Sequence, residues 1–208
     1  MKSKLYAFLH FILAWLARLV FCISCKTRKK EPPLSDGGLL VCANHIHVLD
    51  PVLICAVLKK HQPRIMAKKE LFSVPFLGWL VRQLGAYPID RSGANADVII
   101  KTIKMLEDGY CVGMFPQGTR RAGVDPSTTP LKAGAGLIAT RSKASVLPIH
   151  IKTKDYRIKA FRKIKIIIGD PIPYEEYTKG GELEGDSRAV TQYIFDRICE
   201  LGREDGEK

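Results

Sequence analysis

Apolar residues along the chain gather in two kinds of run. The short runs LLVCA (39–43), RIMA (64–67), AYPI (86–89), CVGMF (111–115), SVLPIHI (145–151) and KIKIIIG (163–169) predict strands. Between them, PVLICAVLKK (51–60), VPFLGWLVRQL (74–84), ANADVIIKTIKMLED (94–108) and KAGAGLIATRSK (132–143) carry apolar positions at helical spacing and predict helices, with a last helix at about 186–201. The β-α-β-α order predicts an α/β fold: a single domain with a mostly parallel β-sheet flanked by helices. No internal repeat or low-complexity linker suggests a second one, and REDGEK reads as a frayed tail.

One apolar stretch has a different character. LYAFLHFILAWLARLVFCISC (5–25) has about the length of a membrane-crossing helix. At about 100° per residue, however, His10 and Arg18 share one narrow face with Ala7, Ala14 and Ala17, a pattern suited to a helix lying in the interface or entering it obliquely, with a hydrophobic helix of the soluble core as the alternative. Lys2 and Lys4 precede the stretch and Lys26, Arg28, Lys29 and Lys30 follow it, so both flanks favour one anionic surface. No small-x-small cleavage site follows, which argues against a signal peptide. The expected organisation is an N-terminal membrane-associated helix with its basic flank over 1–30 and a folded domain over 31–208.

Composition narrows the partners. With 46% hydrophobic and 26% charged residues the chain is not extensively disordered, while a formal charge of +12 favours anions, with phosphate common to nucleic acid, anionic lipid and phosphorylated small molecules. The six cysteines sit mostly in apolar runs and read as reduced thiols. Cys22 and Cys25 form a lone C-x-x-C, too little for a zinc site.

Candidate chemistry begins at NHIHVLDP (44–51). Asp50-Pro51 is a helix-start signal, with the carboxylate as cap, so His45 falls in the loop between the strand 39–43 and the next helix. A loop that curls back brings His45 and Asp50 together, and a carboxylate against one imidazole nitrogen leaves the other as a general base. A capping aspartate with an uninvolved structural histidine fits the same residues. MFPQGTRR (114–121) follows a buried strand with Gly118, Thr119, Arg120 and Arg121, which suits a phosphate cradle or a plain basic turn. GAYPIDR (85–91) delivers Arg91 beyond another strand. The chain has no G-x-S-x-G elbow, and Cys111 falls within a strand.

Taken together, these blocks resemble the glycerolipid acyltransferase family typified by 1-acyl-glycerol-3-phosphate acyltransferase (lysophosphatidic acid acyltransferase). NHIHVLD matches its N-H-x4-D, GAYPIDR its second block, FPQGTR its F-P-E-G-T-R and VLPI, with Pro148, its fourth, over about residues 40–150 plus the N-terminal segment. The resemblance implies a catalytic dyad of His45 and Asp50 and an acyltransferase domain over 31–208. It also implies a phosphate site of Arg91, Gly118, Thr119 and Arg120. The implied reaction needs no cofactor; acyl-CoA or acyl-carrier protein is the co-substrate, lysophosphatidate the acceptor and phosphatidic acid the product, with glycerol 3-phosphate or another lysophospholipid as the alternative acceptor. Membrane lipids on the cytoplasmic face are the remaining partner, and no nucleic acid is expected. Two departures stand out: His47, where the family often has serine, is a second imidazole that could compete as base, and Gln117 replaces the third block's glutamate.

Two other readings compete. GAGLIA (134–139), with Asp155 beyond it, fits a dinucleotide fingerprint, but DPSTTPLKA before it is not a strand. KTKDYRIKAFRKIKI (152–166) interleaves Tyr156 and Phe161 with basic residues, as in a non-catalytic module that binds single-stranded nucleic acid or an anionic lipid surface, or in a solvated basic hairpin.

Overall fold

The computed structural model describes residues 22–27, 38–58, 60–89 and 96–205, with isolated positions 11, 12, 15 and 20. The strands are β1 (Ile23–Thr27), β2 (Leu39–Ala43), β3 (Arg64–Lys68), β4 (Tyr87–Ile89), β5 (Cys111–Met114), β6 (Ser145–Lys152) and β7 (Ile164–Ile168). The helices are α1 (Asp50–Val57), α2 (Pro75–Gln83), α3 (Ala96–Glu107), α4 (Gly134–Ser142), the single turn α5 (Tyr174–Tyr177) and α6 (Ser187–Glu204). One sheet runs β1-β7-β6-β2-β5-β3-β4. All pairings are parallel except β6 with β7. The mostly parallel α/β sheet flanked by helices is as the sequence predicts.

The period of two in each strand explains the layers. Leu40 and Cys42 of β2, with Val112 and Met114 of β5, pack against Leu106 of α3, Ile138 and Ala139 of α4, and Ile194, Phe195 and Ile198 of α6. Leu39, Val41 and Ala43 point the other way, onto Leu53, Ile54 and Val57 of α1. All five β2 residues are buried, which is why LLVCA reads as a continuous apolar run.

The N-terminal reading needs correction. Ile23–Cys25, assigned to the end of a membrane helix, belong to β1, whose register Ile23↔Ile164 to Thr27↔Ile168 covers the outer edge of β7. An isoleucine-rich edge left open would expose backbone donors and acceptors, and β1 satisfies them. Lys26 of the expected basic flank pairs with Asp205 at 3.3 Å. Most of 5–22, including His10 and Arg18, lies outside the described residues, as do Arg28, Lys29 and Lys30. Among the described residues no helix is long and apolar enough to cross a membrane; Phe11 and Trp15 are helical and exposed.

The fingerprint reading of GAGLIA fails on its context. A 3₁₀ turn at Pro126–Thr128 and irregular chain precede α4, not a strand. Gly136 is where α4 meets α6: its N–H donates to Thr191 Oγ1 at 2.8 Å, and a Cβ there would lie 2.1 Å from the Ser187 carbonyl oxygen. Small residues here serve close helix packing.

Candidate active site

The sheet's connectivity fixes where a site can form. β2 and β5 are adjacent and parallel, but the chain leaving β2 turns to α1 on one face while the chain leaving β5 reaches α4 on the other. Such a divergence opens a crevice beyond the carboxyl ends of the strands. The segments that enter it are NHIHVLD after β2 and FPQGTRR after β5.

In that crevice His45 and Asp50 meet. His45 Nδ1 lies 2.8 Å from Asp50 Oδ2. Beside a carboxylate acceptor Nδ1 carries the proton, which leaves Nε2 with a free lone pair. The same Oδ2 accepts the backbone N–H groups of Ile46 at 2.6 Å and His47 at 2.7 Å, so three donors converge on one fully buried oxygen. The structure corrects one detail: the helix starts at Asp50, and its side chain caps no helical N–H. The carboxylate turns back instead and ties the loop 45–47 into the curl that brings the pair together.

The two motifs interlock. Gln117, itself buried, accepts the His45 N–H on Oε1 at 2.6 Å and donates from Nε2 to Thr129 Oγ1 at 2.7 Å. The Arg121 N–H donates to the His45 carbonyl at 2.8 Å. Phe115 stacks on the His45 ring, centroids 4.0 Å apart and planes 16° from parallel. Asn44 clamps the other side: its amide donates to the Ile151 carbonyl and accepts the Ile151 N–H, at 3.0 and 2.7 Å. His45 is therefore fixed by its ring, its N–H and its carbonyl, while its side chain keeps 16% of its exposure. An imidazole on such a frame is pre-positioned for proton transfer.

The remaining candidates are placed differently. Gly118 adopts φ +66° and closes the turn with its N–H on the Phe115 carbonyl at 2.9 Å, a conformation that favours glycine. Thr119 and Arg120 follow on the exposed lip of that turn. Arg91 lies outside the described residues. His47 is half-buried, and its Nδ1 accepts the Leu49 N–H at 3.3 Å; no described carboxylate pairs with it. Asp50 thus selects between the two imidazoles, and it holds His45.

The family model described as Acyltransferase matches residues 14–152. The chain belongs to the acyltransferase family. A 1-acyl-sn-glycerol-3-phosphate acyltransferase of Bacillus subtilis (strain 168) is 32% identical to this acyltransferase over 180 residues, covering 85% of this chain and 87% of its own. The protein of that name from Streptococcus pneumoniae is 32% identical over 151 residues, 71% of this chain and 54% of its own length. In fold, the acyltransferase resembles the crystal structure of the 1-acyl-sn-glycerophosphate (LPA) acyltransferase PlsC from Thermotoga maritima. That match has a TM-score of 0.63 and 21% identity over 94% of this chain and 78% of the other.

Sequence reasoning underrated the supports of the site. Asn44, Phe115, Thr129 and the Arg121 backbone were not candidates, although Asn44 and Phe115 sit inside the quoted motifs. The available signal was position: each directly follows a buried strand or completes a tight loop, where a polar or flat side chain meets the next strand's end.

Proposed function

We propose that the chain transfers a fatty acyl group from an acyl thioester, acyl-CoA or acyl-carrier protein, to the free hydroxyl of 1-acyl-glycerol-3-phosphate, forming phosphatidic acid. His45 Nε2 takes the hydroxyl proton as the oxygen attacks the thioester carbonyl carbon. Asp50 holds the imidazole in the required tautomer and offsets the positive charge that forms. The tetrahedral adduct collapses with loss of the carbon–sulfur bond, and the thiolate takes up the proton from His45. The thioester is already activated, so no enzyme nucleophile is needed. Cys111, the nearest thiol in sequence to the third block, is buried in β5.

Gly118, Thr119 and Arg120, with Arg91, receive the acceptor's phosphate, and Gln117 acts through the backbone it holds. Membrane lipids at the cytoplasmic face supply the acceptor, approached through the N-terminal segment. The observation that carries this reading is the 2.8 Å contact of His45 and Asp50 in the crevice shared with the F-P-Q-G-T-R turn. The test is purified protein with radiolabelled acyl donor offered lysophosphatidate, glycerol 3-phosphate and other lysophospholipids. Labelled phosphatidic acid from lysophosphatidate is the expected product. Faster transfer to another acceptor would reassign the substrate, and no transfer to any of them would overturn the reading.

A further inference from the structure

A second anion-binding feature lies beside the candidate site. Where β6 ends and β7 begins, a cavity of about 420 Å³ is lined by six cations, Lys152, Lys154, Arg157, Arg162, Lys163 and Lys165, with Thr153 and only two carboxylates, Asp155 and Asp205. That volume is within the range of small-ligand pockets. Both carboxylates are engaged: Asp205 pairs with Lys165 at 2.6 Å and with Lys26 at 3.3 Å, Asp155 with Lys159 at 3.2 Å. Lys154, Arg157, Arg162 and Lys163 form no ion pair with a described carboxylate. Thr153 lines the cavity, and its buried Oγ1 has no hydrogen-bond partner among the described residues. Guanidinium and ammonium groups without a described carboxylate partner form a cradle for phosphate oxygens.

Its position distinguishes which phosphate. The Arg121 N–H donates to the His45 carbonyl, and two residues on, the Gly123 N–H donates to the Tyr156 carbonyl at 2.9 Å, with Arg157 packed against Gly123. Two residues of chain reach at most about 7 Å, so the basic cavity begins just past the dyad, on the same edge of the sheet. The acceptor's phosphate is only a few bonds from the hydroxyl that His45 must reach, and it belongs at the F-P-Q-G-T-R turn. A thioester donor of the coenzyme A type places its phosphates at the far end of a long pantetheine arm.

We infer that the β6–β7 cavity binds the phosphorylated nucleotide head of the acyl donor, a site separate from that of the acceptor phosphate. This rests on the acyl-transfer reading for its role but not for its binding chemistry. Arg157 and Arg162 are exposed and their side chains form no ion pair with a described carboxylate, so R157A/R162A removes charge without opening the core.

The test has three arms on the full chain. In steady-state transfer, the double variant raises the donor KM about 10- to 100-fold, as expected for lost charge-assisted hydrogen bonds, while the acceptor KM and the rate at saturating donor stay near wild type. In calorimetry with free coenzyme A and dephospho-coenzyme A, the wild type prefers the former and the double variant loses the preference. This arm reads the site even if no acyl transfer is found, so the two readings fail separately. In sedimentation with phosphatidylcholine vesicles, with and without phosphatidylglycerol, the variant matches wild type. An unchanged donor KM with unchanged coenzyme A binding overturns the inference. So does a variant that binds coenzyme A normally but no longer binds phosphatidylglycerol vesicles, which would assign the cavity to lipid headgroups.

Discussion

His45 and His150 lie at the ends of neighbouring strands, and their surroundings make them opposites. At the crevice, His45 Nδ1 meets a carboxylate and its ring stacks on Phe115, while the side chain stays partly exposed. In the packed layer beneath α6, His150 Nδ1 donates to the Ile198 carbonyl at 2.9 Å, while Nε2 is buried without a partner, 2.5 Å from where a Cβ on Gly202 would stand. Burial pushes His150 down to about 4, reinforced by Lys152 and opposed by the Ile198 hydrogen bond and by Asp125 and Asp205. An imidazole becomes a candidate base where an anion can stabilise its charged form. Where apolar packing surrounds it, the neutral form serves only the fold.

The largest effect that sharpens this contrast is on catalysis. His45→Ala lowers acyl transfer by about 10²- to 10⁴-fold, the usual range for a general base, in a protein that stays folded. His47 remains in that variant, so near-normal turnover would remove His45 from the mechanism. The matching change at the other histidine moves stability instead. His150 has a folded value of about 4 against an ordinary 6.5, so the unfolded chain binds the proton more readily. Its contribution is complete above pH 6.5 and lost as pH falls toward 4, a span of about 3 kcal/mol. His150→Asn can still donate to the Ile198 carbonyl and does not titrate. Denaturant unfolding at a series of pH values then gives a flatter dependence for the variant between pH 4 and 6.5. Parallel curves would show that His150 is not buried neutral.

Gln117 tests the join between motif and frame, where activity and stability should move together. Gln117→Ala strands the half-buried His45 N–H and costs about 1–3 kcal/mol in unfolding free energy, with a fall in kcat as the loop 45–47 loosens. Gln117→Glu keeps an acceptor for that N–H and retains most of both. A Gln117→Ala protein with lowered stability and unaltered kcat would separate the tether from the chemistry.

The different legibility of these parts has a physical basis. The central strand β2 was readable because burial on both faces leaves no polar position, as in LLVCA, and the pairing of His45 with Asp50 followed from residue chemistry plus a turn signal. β1 was not readable: Ile23–Thr27 is short, half polar, and runs on from a longer apolar stretch, and only the β7 edge, distant in sequence, makes it a strand. Gln117 as a tether was equally hidden, since it bridges His45 and Thr129. The basic run 152–166 was visible as charge, but which cations remain unpaired depends on where Asp155 and Asp205 fall.

The smallest expected effect concerns the exposed lip of the crevice. Arg120 lies on the surface of the turn after Gly118 and supports no packing, so Arg120→Ala leaves the melting temperature unchanged, in contrast to any change at Gln117. In the proposed reaction its lost contact is to the acceptor phosphate, present in both the ground and transition states, and such uniform binding appears in KM rather than kcat. The acceptor KM should rise about tenfold, the value of one charge-assisted hydrogen bond, while the donor KM stays put. R157A/R162A should give the reverse pattern. If Arg120→Ala instead raised the donor KM and left the acceptor's unchanged, the two anion sites would have to exchange places along the edge of the sheet.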